Sequence, residues 1–354
     1  MDIYVLNAPD SIVGMIQNFE SAIWNCEYFG PSDCEINLPG TQENMDLLTP
    51  GRMLVRDLDI HDGVKENVMI IRDLELSFDA EKGWSLKVIG AGLKTILGQR
   101  VVWQQTTFEN ANVETAIRQI ITENAISPSD SERGIPNLVL ATASELEDTF
   151  SCQLFGENIS EWLQSVCEQF EYGWDVSVKD DTYVFKVYKG KDRSYGQINY
   201  IPVVFSPEYD NLLSASYAFG TSEKKNSALI GGEGEGTDKV VTSIGTSSGL
   251  GRFEVYVDGS SVSSNGEIIT MEEYIRMLKQ YGKEELAANS ISENFEGQII
   301  DNGMYQLGVD YNLGDVLQIS NGIISASSRM VGIIYSVDEN GIAMVPTFGD
   351  WKEE

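Results

Sequence analysis

Apolar and polar positions alternate along most of this 354-residue chain, and a spacing of three and four replaces the alternation in only a few places. Through residue 102 the period-two pattern predicts strands at Ile3–Leu6, Gly14–Phe19, Ser21–Tyr28, Cys34–Leu38, Met53–Asp57, Val68–Ser77 and Trp84–Ile89. Turn-forming clusters such as Gly30-Pro31-Ser32-Asp33, Thr49-Pro50-Gly51 and Glu81-Lys82-Gly83 separate them. Short strands at such close spacing point to a barrel or a sandwich, with one short helix over Ala91–Leu97.

From residue 103 to 192 the pattern changes. Asn112 opens a helix with Val113, Ala116, Ile117, Ile120 and Ile121 on one face and Glu114 in its first turn. A second helix over Ile159–Phe170 carries Trp162, Leu163, Val166 and Phe170 on one face and is expected to end at Gly173. Trp174–Val178 then pairs with Thr182–Tyr188 across Lys179-Asp180-Asp181. Two helices on a small sheet make an α+β domain, inserted between the strands before it and those after Tyr195.

The rest of the chain is organised around Tyr183–Gly236. This stretch holds an alternating strand with Tyr183, Phe185 and Val187 on one face, a turn at Lys189-Gly190-Lys191-Asp192, and an apolar run from Pro202 to Phe205. It continues into Ser206-Pro207-Glu208-Tyr209-Asp210-Asn211-Leu212 and closes in a glycine-acid loop. Residues 193–239 read as return strands that complete the first barrel. Beyond residue 240 a Ser/Gly segment, Thr242–Gly251, reads as flexible. Thr270 caps a helix over Met271–Ala288 with Glu273 as its capping-box partner, and strands are expected at Arg252–Val257, Phe295–Asp301, Asp315–Ser320, Arg329–Val337 and Ile342–Thr347.

The late strands echo the early ones. Leu47-Leu48-Thr49-Pro50-Gly51-Arg52-Met53-Leu54-Val55 parallels Tyr311-Asn312-Leu313-Gly314-Asp315-Val316-Leu317, and each is followed by a hairpin, Met69–Gly90 and Met330–Gly349. The fold class expected is therefore mainly β with α+β: two related β-barrel domains, residues 1–102 with 193–239 and residues 240–354, plus the inserted domain at 103–192.

Charge narrows the partners. With 24 basic against 55 acidic residues the net charge is −31, so a concentrated basic face for phosphates is missing and stable binding to nucleic acid or an anionic membrane is not expected. The acidity either confers solubility or lines a channel that repels passing DNA. The N-terminal residues are acidic where a signal peptide needs positive charge, and no apolar run reaches transmembrane length, which points to synthesis in a cytoplasm and no membrane insertion. Cys26, Cys34, Cys152 and Cys167 have no metal-ligand spacing and are expected as reduced thiols, although Cys26 and Cys34 could face each other across a hairpin.

Four phrases occur in a set order: Lys189-Gly190-Lys191-Asp192-Arg193-Ser194, then Phe205-Ser206-Pro207-Glu208-Tyr209-Asp210-Asn211-Leu212, then Ala228 through Gly236, then Arg252–Asp258. Together with MDIYVLN at the start, GPSDCEINLP from Gly30 and TPGRMLVR from Thr49, the set resembles the siphophage tail proteins of the ReqiPepy type, related to baseplate hubs and to the hub part of tail-associated lysins. The resemblance spans essentially the whole chain. It implies a structural tail-tip protein of a virion, assembled in a bacterial cytoplasm, that forms a homotrimeric ring through which DNA passes. The distal tail protein or tail tube protein would lie on one side and tip or fibre proteins on the other. Three chains with two barrels each would meet a sixfold tube.

Motifs for chemistry are weak by comparison. Gly245-Thr246-Ser247-Ser248-Gly249 matches a nucleophile elbow, but it lies in the Ser/Gly segment and the chain has a single histidine, His61. Asp57-Leu58-Asp59-Ile60-His61-Asp62-Gly63 resembles a calcium loop with its glycine one place late and no closing glutamate. Glu208 and Asp210 are the first acid pair to test for glycosidase chemistry, with capping of backbone amides as the structural alternative. Gly231-Gly232-Glu233-Gly234-Glu235-Gly236 lacks the Lys-Ser/Thr of a P-loop and reads as a tight loop. Of Trp24, Trp84, Trp103, Trp162, Trp174 and Trp351, most read as core and Trp351 as an exposed ring suited to a sugar. No catalytic, cofactor or metal residue is assigned, host-surface carbohydrate binding is the alternative function, and a cell-wall hydrolase comes third.

Overall fold

One long, mainly antiparallel sheet runs through the molecule, and its strands come from both ends of the chain. The computed structural model describes residues 1–220, 224–264, 269–289, 292–299, 304–320, 322–323, 325–339 and 341–353. The N-terminal part forms β1 (Ile3–Ala8), β2 (Ser11–Ile16), β3 (Ser21–Glu27), β4 (Asp33–Pro39), α1 (Gln42–Leu47), β5 (Met53–Arg56), β6 (Ile60–His61), β7 (Val64–Lys65), β8 (Met69–Asp79) and β9 (Gly83–Gly92). The expected helix over Ala91–Leu97 is a 3-10 turn at Leu93–Gln99.

The middle part forms β10 (Thr106–Asn112), α2 (Val113–Ile121), β11 (Leu138–Leu140), β12 (Thr149–Leu154), α3 (Ile159–Phe170), β13 (Gly173–Lys179) and β14 (Thr182–Tyr188). Both helices start where expected: the predicted cap Asn112 accepts from the Thr115 N–H, and α3 begins at Ile159 behind Asn158, which accepts from the N–H groups of Ser160 and Glu161. α3 ends at Glu171, whose φ of 56° breaks the helix. Gly173, expected as the stop, instead opens β13. A Cβ there would lie 2.1 Å from the Tyr28 ring, so the glycine admits a side chain from β3's end.

The remaining strands are β15 (Asp192–Arg193), β16 (Val204–Phe205), β17 (Leu212–Gly220), β18 (Ser227–Gly231), β19 (Val241–Ile244) and β20 (Glu254–Asp258), followed by α4 (Met271–Ala288) and by β21 (Ser292–Ile299), β22 (Val316–Ser320), β23 (Ser325–Asp338) and β24 (Gly341–Glu353). Part of the expected strand Phe295–Asp301, and Asn340 within the expected hairpin Met330–Gly349, lie outside the described residues. The Ser/Gly segment is not all linker, since β19 pairs with β18 and Gly249–Gly251 forms a 3-10 turn. No described helix is long and apolar enough to cross a membrane.

The long sheet has the order β17-β21-β24-β23-β3-β4-β9-β8-β5-β1-β2, with β22 on β23 and β15 and β16 parallel to β22. Two units inside it repeat one strand order: β3-β4-β9-β8-β5 and β17-β21-β24-β23-β22. The match extends to the backbone. Gly51 and Gly314 both have φ of 91°, just before β5 and β22. Gly51 N–H donates to Ile71 O and Ile71 N–H to Arg52 O, while Gly314 N–H donates to Met330 O and Met330 N–H to Asp315 O. Each hairpin then bulges at the same place, between Ile71 and Asp73 in β8 and between Met330 and Gly332 in β23.

Among the described residues no sheet closes into a barrel, which corrects the expected pair of closed barrels within a mainly β fold. The reason is β23. Before its bulge it pairs with β22, and beyond it Gly332–Val337 pair with β3, so the second unit opens onto the first instead of curling on itself. Of the strands from residues 193–239, expected to return to the first unit, β16 lies on β22, β17 on β21, and β18 between β19 and β20 in a separate sheet.

Three apolar cores result among the described residues. One lies along the long sheet and takes Trp24, Ile36 and Val88 from one unit with Leu317, Met330 and Phe348 from the other. A second packs Ile117, Leu163, Trp174 and Phe185 of the middle part against Leu6 and Val55. A third joins Ile230 and Val257 of the β19-β18-β20 sheet to Tyr274 and Leu278 of α4. All four cysteines are buried and free. Cys34 stands opposite Trp24, so Cys26 and Cys34 are not cross-strand partners, and burial pushes both thiols up to about 12.

The repeated glycines give a matched test. A Cβ at Gly51 meets open space, so Gly51→Ala is expected to cost only the left-handed backbone strain, about 1–2 kcal/mol. At Gly314 a Cβ would lie 2.1 Å from the Tyr28 ring, and Gly314→Ala should cost about 2 kcal/mol more, read as the difference in urea midpoints.

Candidate functional site

β14 ends in Lys189-Gly190, and there the phrase that organises the sequence becomes a clasp between the middle part and the second sheet unit. A Cβ on Gly190 would sit 1.8 Å from Gly314 O, so only glycine lets the two backbones meet. Gly190 N–H donates to the Tyr28 hydroxyl at 3.0 Å, and that hydroxyl also lies 3.3 Å from Glu171 O and 3.4 Å from Tyr188 O. Burial pushes the Tyr28 phenol up to about 12, so it remains neutral and able to donate.

Asp315 receives the other half of the clasp. Its Oδ1 accepts from Lys191 N–H at 2.7 Å, and its Oδ2 accepts from Arg193 Nε at 2.8 Å and from Asn312 N–H at 3.0 Å. Asp315 is only 2% exposed, and the hydrogen bonds from main chain and guanidinium replace the water it has lost. Arg329 completes the knot, donating from Nη1 to Gly314 O and from Nη2 to Glu171 Oε2. The geometry is that of a structural lock. Beside it lies a cavity of about 400 Å³, lined by Arg56, Lys94, Lys186, Asp59, Asp175 and Asp315 among others. Both signs of charge line it, which favours neither an anion nor a cation.

The residues singled out for chemistry are not brought together. Ser247 is followed by a 3-10 turn and then β20, with no helix to complete an elbow, and its carbonyl accepts from Arg252. His61 is exposed at the tip of the β6–β7 hairpin. In the calcium-like loop the Asp59 carboxylate accepts from Arg56 Nε at 2.5 Å and from Asn67 Nδ2 at 2.7 Å. Among the described residues no group of three or more acidic, histidine or cysteine side chains is placed to hold a metal ion. Glu208 and Asp210 lie exposed on a 3-10 turn, and the backbone groups there are satisfied by the Ser206 and Asn211 side chains. In the glycine-acid loop Gly234 and Gly236 have positive φ. Hydrogen bonds from Ser263 and Ser264 hold the Glu233 carboxyl below its usual value.

Two tryptophans expected in the core are at the surface. Trp103 is exposed beneath the Arg133 guanidinium, and Trp84 is exposed beside Phe78 on the β8–β9 hairpin, ring centroids 5.1 Å apart. The Trp351 ring lies outside the described residues; its backbone pairs with Ser328. Pattern alone could not separate these cases, because β9 alternates at Trp84 whether or not that face is covered, and Trp103 lies outside any strand.

Sequence reasoning also missed the seat of α4. Gln169 and Gln280 side chains hydrogen-bond between α3 and α4, and Tyr281 approaches Glu157 at 3.3 Å. Burial pushes the nearby Glu284 carboxyl up to about 7, opposed by a hydrogen bond from Gln280 and aided by Glu157. Glu114, expected only as a helix-dipole partner, is buried and accepts from Ser144 and Leu146 N–H.

A repeated antiparallel strand order is thus tied to the helical middle part through Tyr28, Asp315 and Arg329. The chain belongs to the siphovirus ReqiPepy6 Gp37-like family of tail proteins, whose profile matches residues 2–350. Among curated proteins none is similar enough in sequence to count as a relative. Similar folds include the tail protein from Neisseria meningitidis MC58, at TM-score 0.62 and 13% identity, with 98% of this chain and 96% of that one covered. A prophage MuSo2 43 kDa tail protein from Shewanella oneidensis aligns at TM-score 0.60 and 13% identity over 99% and 98%. Prophage tail protein gp18 from Listeria monocytogenes EGD-e aligns at 0.50 and 14% over 98% and 94%.

Two outcomes test the site. Asp315→Ala leaves Arg193 and the Lys191 amide unpaired in a buried place and should destabilise the chain by about 3 kcal/mol, measured by urea unfolding. Glu284 has a folded pKa raised above its unfolded value, so its charge destabilises the fold above pH 7 and the penalty fades as pH falls towards 4.5. Because this side chain is half-buried, Glu284→Gln is expected to stabilise by only about 1 kcal/mol at pH 8 and not at all near pH 4.5, read from paired thermal melts.

Proposed function

We infer that this protein is a non-enzymatic hub of the tail tip. In this reading copies of the chain form a ring that joins the tail tube or distal tail protein to the tip or fibre proteins and lets DNA pass. The observation that carries it is the repeat: two units of one strand order, sharing a positive-φ glycine, a reciprocal pair of hydrogen bonds and a bulge. A repeat inside one chain lets a small number of copies meet a partner of twice that symmetry. Three chains would present six similar units to a sixfold tube. The two barrels then belong to the assembly, each unit's sheet being continued by a neighbour. The middle part, residues 103–192, stands off the ring and is held to it by the Tyr28 and Asp315 clasp. The net charge of −31 suits a lumen that DNA must not adhere to.

The mass of the purified protein in solution, followed by negative-stain class averages, tests this. A homotrimer with a central opening and a pseudo-sixfold outline is the expected result. A chain that stays monomeric at high concentration and binds host-wall glycans would overturn it in favour of receptor recognition.

A further inference from the structure

On one edge β23 carries two neighbours, β22 before its bulge and β3 after it, from Gly332 opposite Glu27 to Val337 opposite Ala22. Its counterpart β8 carries β5 before the bulge, with Met53 opposite Ile70. After the bulge no strand lies on that edge among the described residues. Side-chain burial differs in step. Ile333 is buried and Tyr335 lies half-buried beneath the Arg56 guanidinium, 4.7 Å from its ring centre. In β8 Leu74, which matches Ile333, is half-buried, while Leu76, which matches the half-buried Tyr335, is 45% exposed and Phe78, which matches the half-buried Val337, is 62% exposed, with Trp84 alongside at 54%. An open strand edge with an apolar face is a template for another strand.

The complementary edge is at the far end of the same sheet. β17 holds the place in its unit that β3 holds in the other, and among the described residues β21 is its one strand neighbour. The register between the units is fixed by the rows Trp24–Cys34–Gly90 and Tyr217–Phe295–Phe348, because Gly90 faces Ile71 and Phe348 faces Met330 just before each bulge. Tyr217 therefore corresponds to Trp24, and Leu76 to Tyr335. With β21, β24, β23, β3, β4 and β9 between them, the two edges of one chain lie about 34 Å apart along the sheet and do not meet.

We propose that the edge of β8 beyond its bulge takes β17 of a second copy of this chain, antiparallel, as β23 takes β3 within one chain. Asp73 lies opposite Gly220, Leu76 opposite Tyr217, Ser77 opposite Ser216 and Phe78 opposite Ala215. Two different surfaces meet, so the contact repeats head to tail and closes into a ring or runs on as a filament. The proposal rests on the ring reading above and names the seam of that ring.

Cysteine cross-linking and solution mass test the seam. Ser77 and Ser216 are exposed, opposite positions in an antiparallel pair come within disulfide reach, and the native thiols are buried. Under mild oxidation the full-length Ser77→Cys/Ser216→Cys variant should give a ladder of chains joined between copies on a non-reducing gel. Each single variant, and Ser77→Cys/Ser214→Cys two residues out of register, should give none. Phe78→Glu, at a position exposed in the single chain, should bring a trimer to one third of its mass without moving the melting temperature. An oligomer whose mass survives Phe78→Glu and which yields no ladder overturns this seam while leaving a ring built on other surfaces. A protein that is monomeric and unlinked at every concentration overturns both.

Discussion

The bulge in β23 is the constraint on which the rest of the sheet depends. This strand of fourteen residues follows β24 along one edge, with bulges that let the pair twist, but on its other edge it has two neighbours in turn. By placing Val331 out of register, the bulge ends pairing with β22 and presents Gly332–Val337 to β3. Strands from the two ends of the chain thereby become hydrogen-bonded neighbours, and their side chains share one apolar core. Long-range pairing of this kind has no local signal, since it joins residues more than 300 positions apart.

Polar knots then decide orientation. The apolar cores are non-directional and would tolerate the middle part at several angles on the sheet. Tyr28, Asp315 and Arg329 remove that freedom, because each has its donors or acceptors satisfied only where Gly190 lies against Gly314. A buried carboxylate such as Asp315 adds little net stability compared with apolar packing, but misdocking would leave it unpaired, and that penalty is large. The same logic accounts for part of the charge in Lys189-Gly190-Lys191-Asp192-Arg193-Ser194, where the Lys191 amide and the Arg193 guanidinium are both bound to Asp315.

Elements with strong local signals were legible. Asn112 and Thr270 cap the helices they were expected to cap, and α4 spans Met271–Ala288 as its period and cap predict. Most strands through β9 fall within a residue or two of their alternating runs. The pair β6 and β7 is too short to show a period, and α1 buries no residue fully, so neither carries a pattern to read. Among candidate site residues, Glu208, Asp210, Ser247 and His61 could be named but not placed, for an acid becomes chemistry only when folding encloses it.

By itself the sequence determined the mainly β class, the helices α2, α3 and α4, the echo between Gly51-Arg52-Met53 and Gly314-Asp315-Val316, and membership of a tail-protein family. These follow from local conformational preference and from motif order, both of which are written along the chain. Tertiary structure alone decided that the two units open onto each other instead of closing, that Trp84 and Phe78 stay at the surface, and that Asp315 is buried. Each of those outcomes depends on which strand edge meets which. Edges are made of backbone groups that every residue carries, so the choice among them is made only when distant strands twist, bulge and dock.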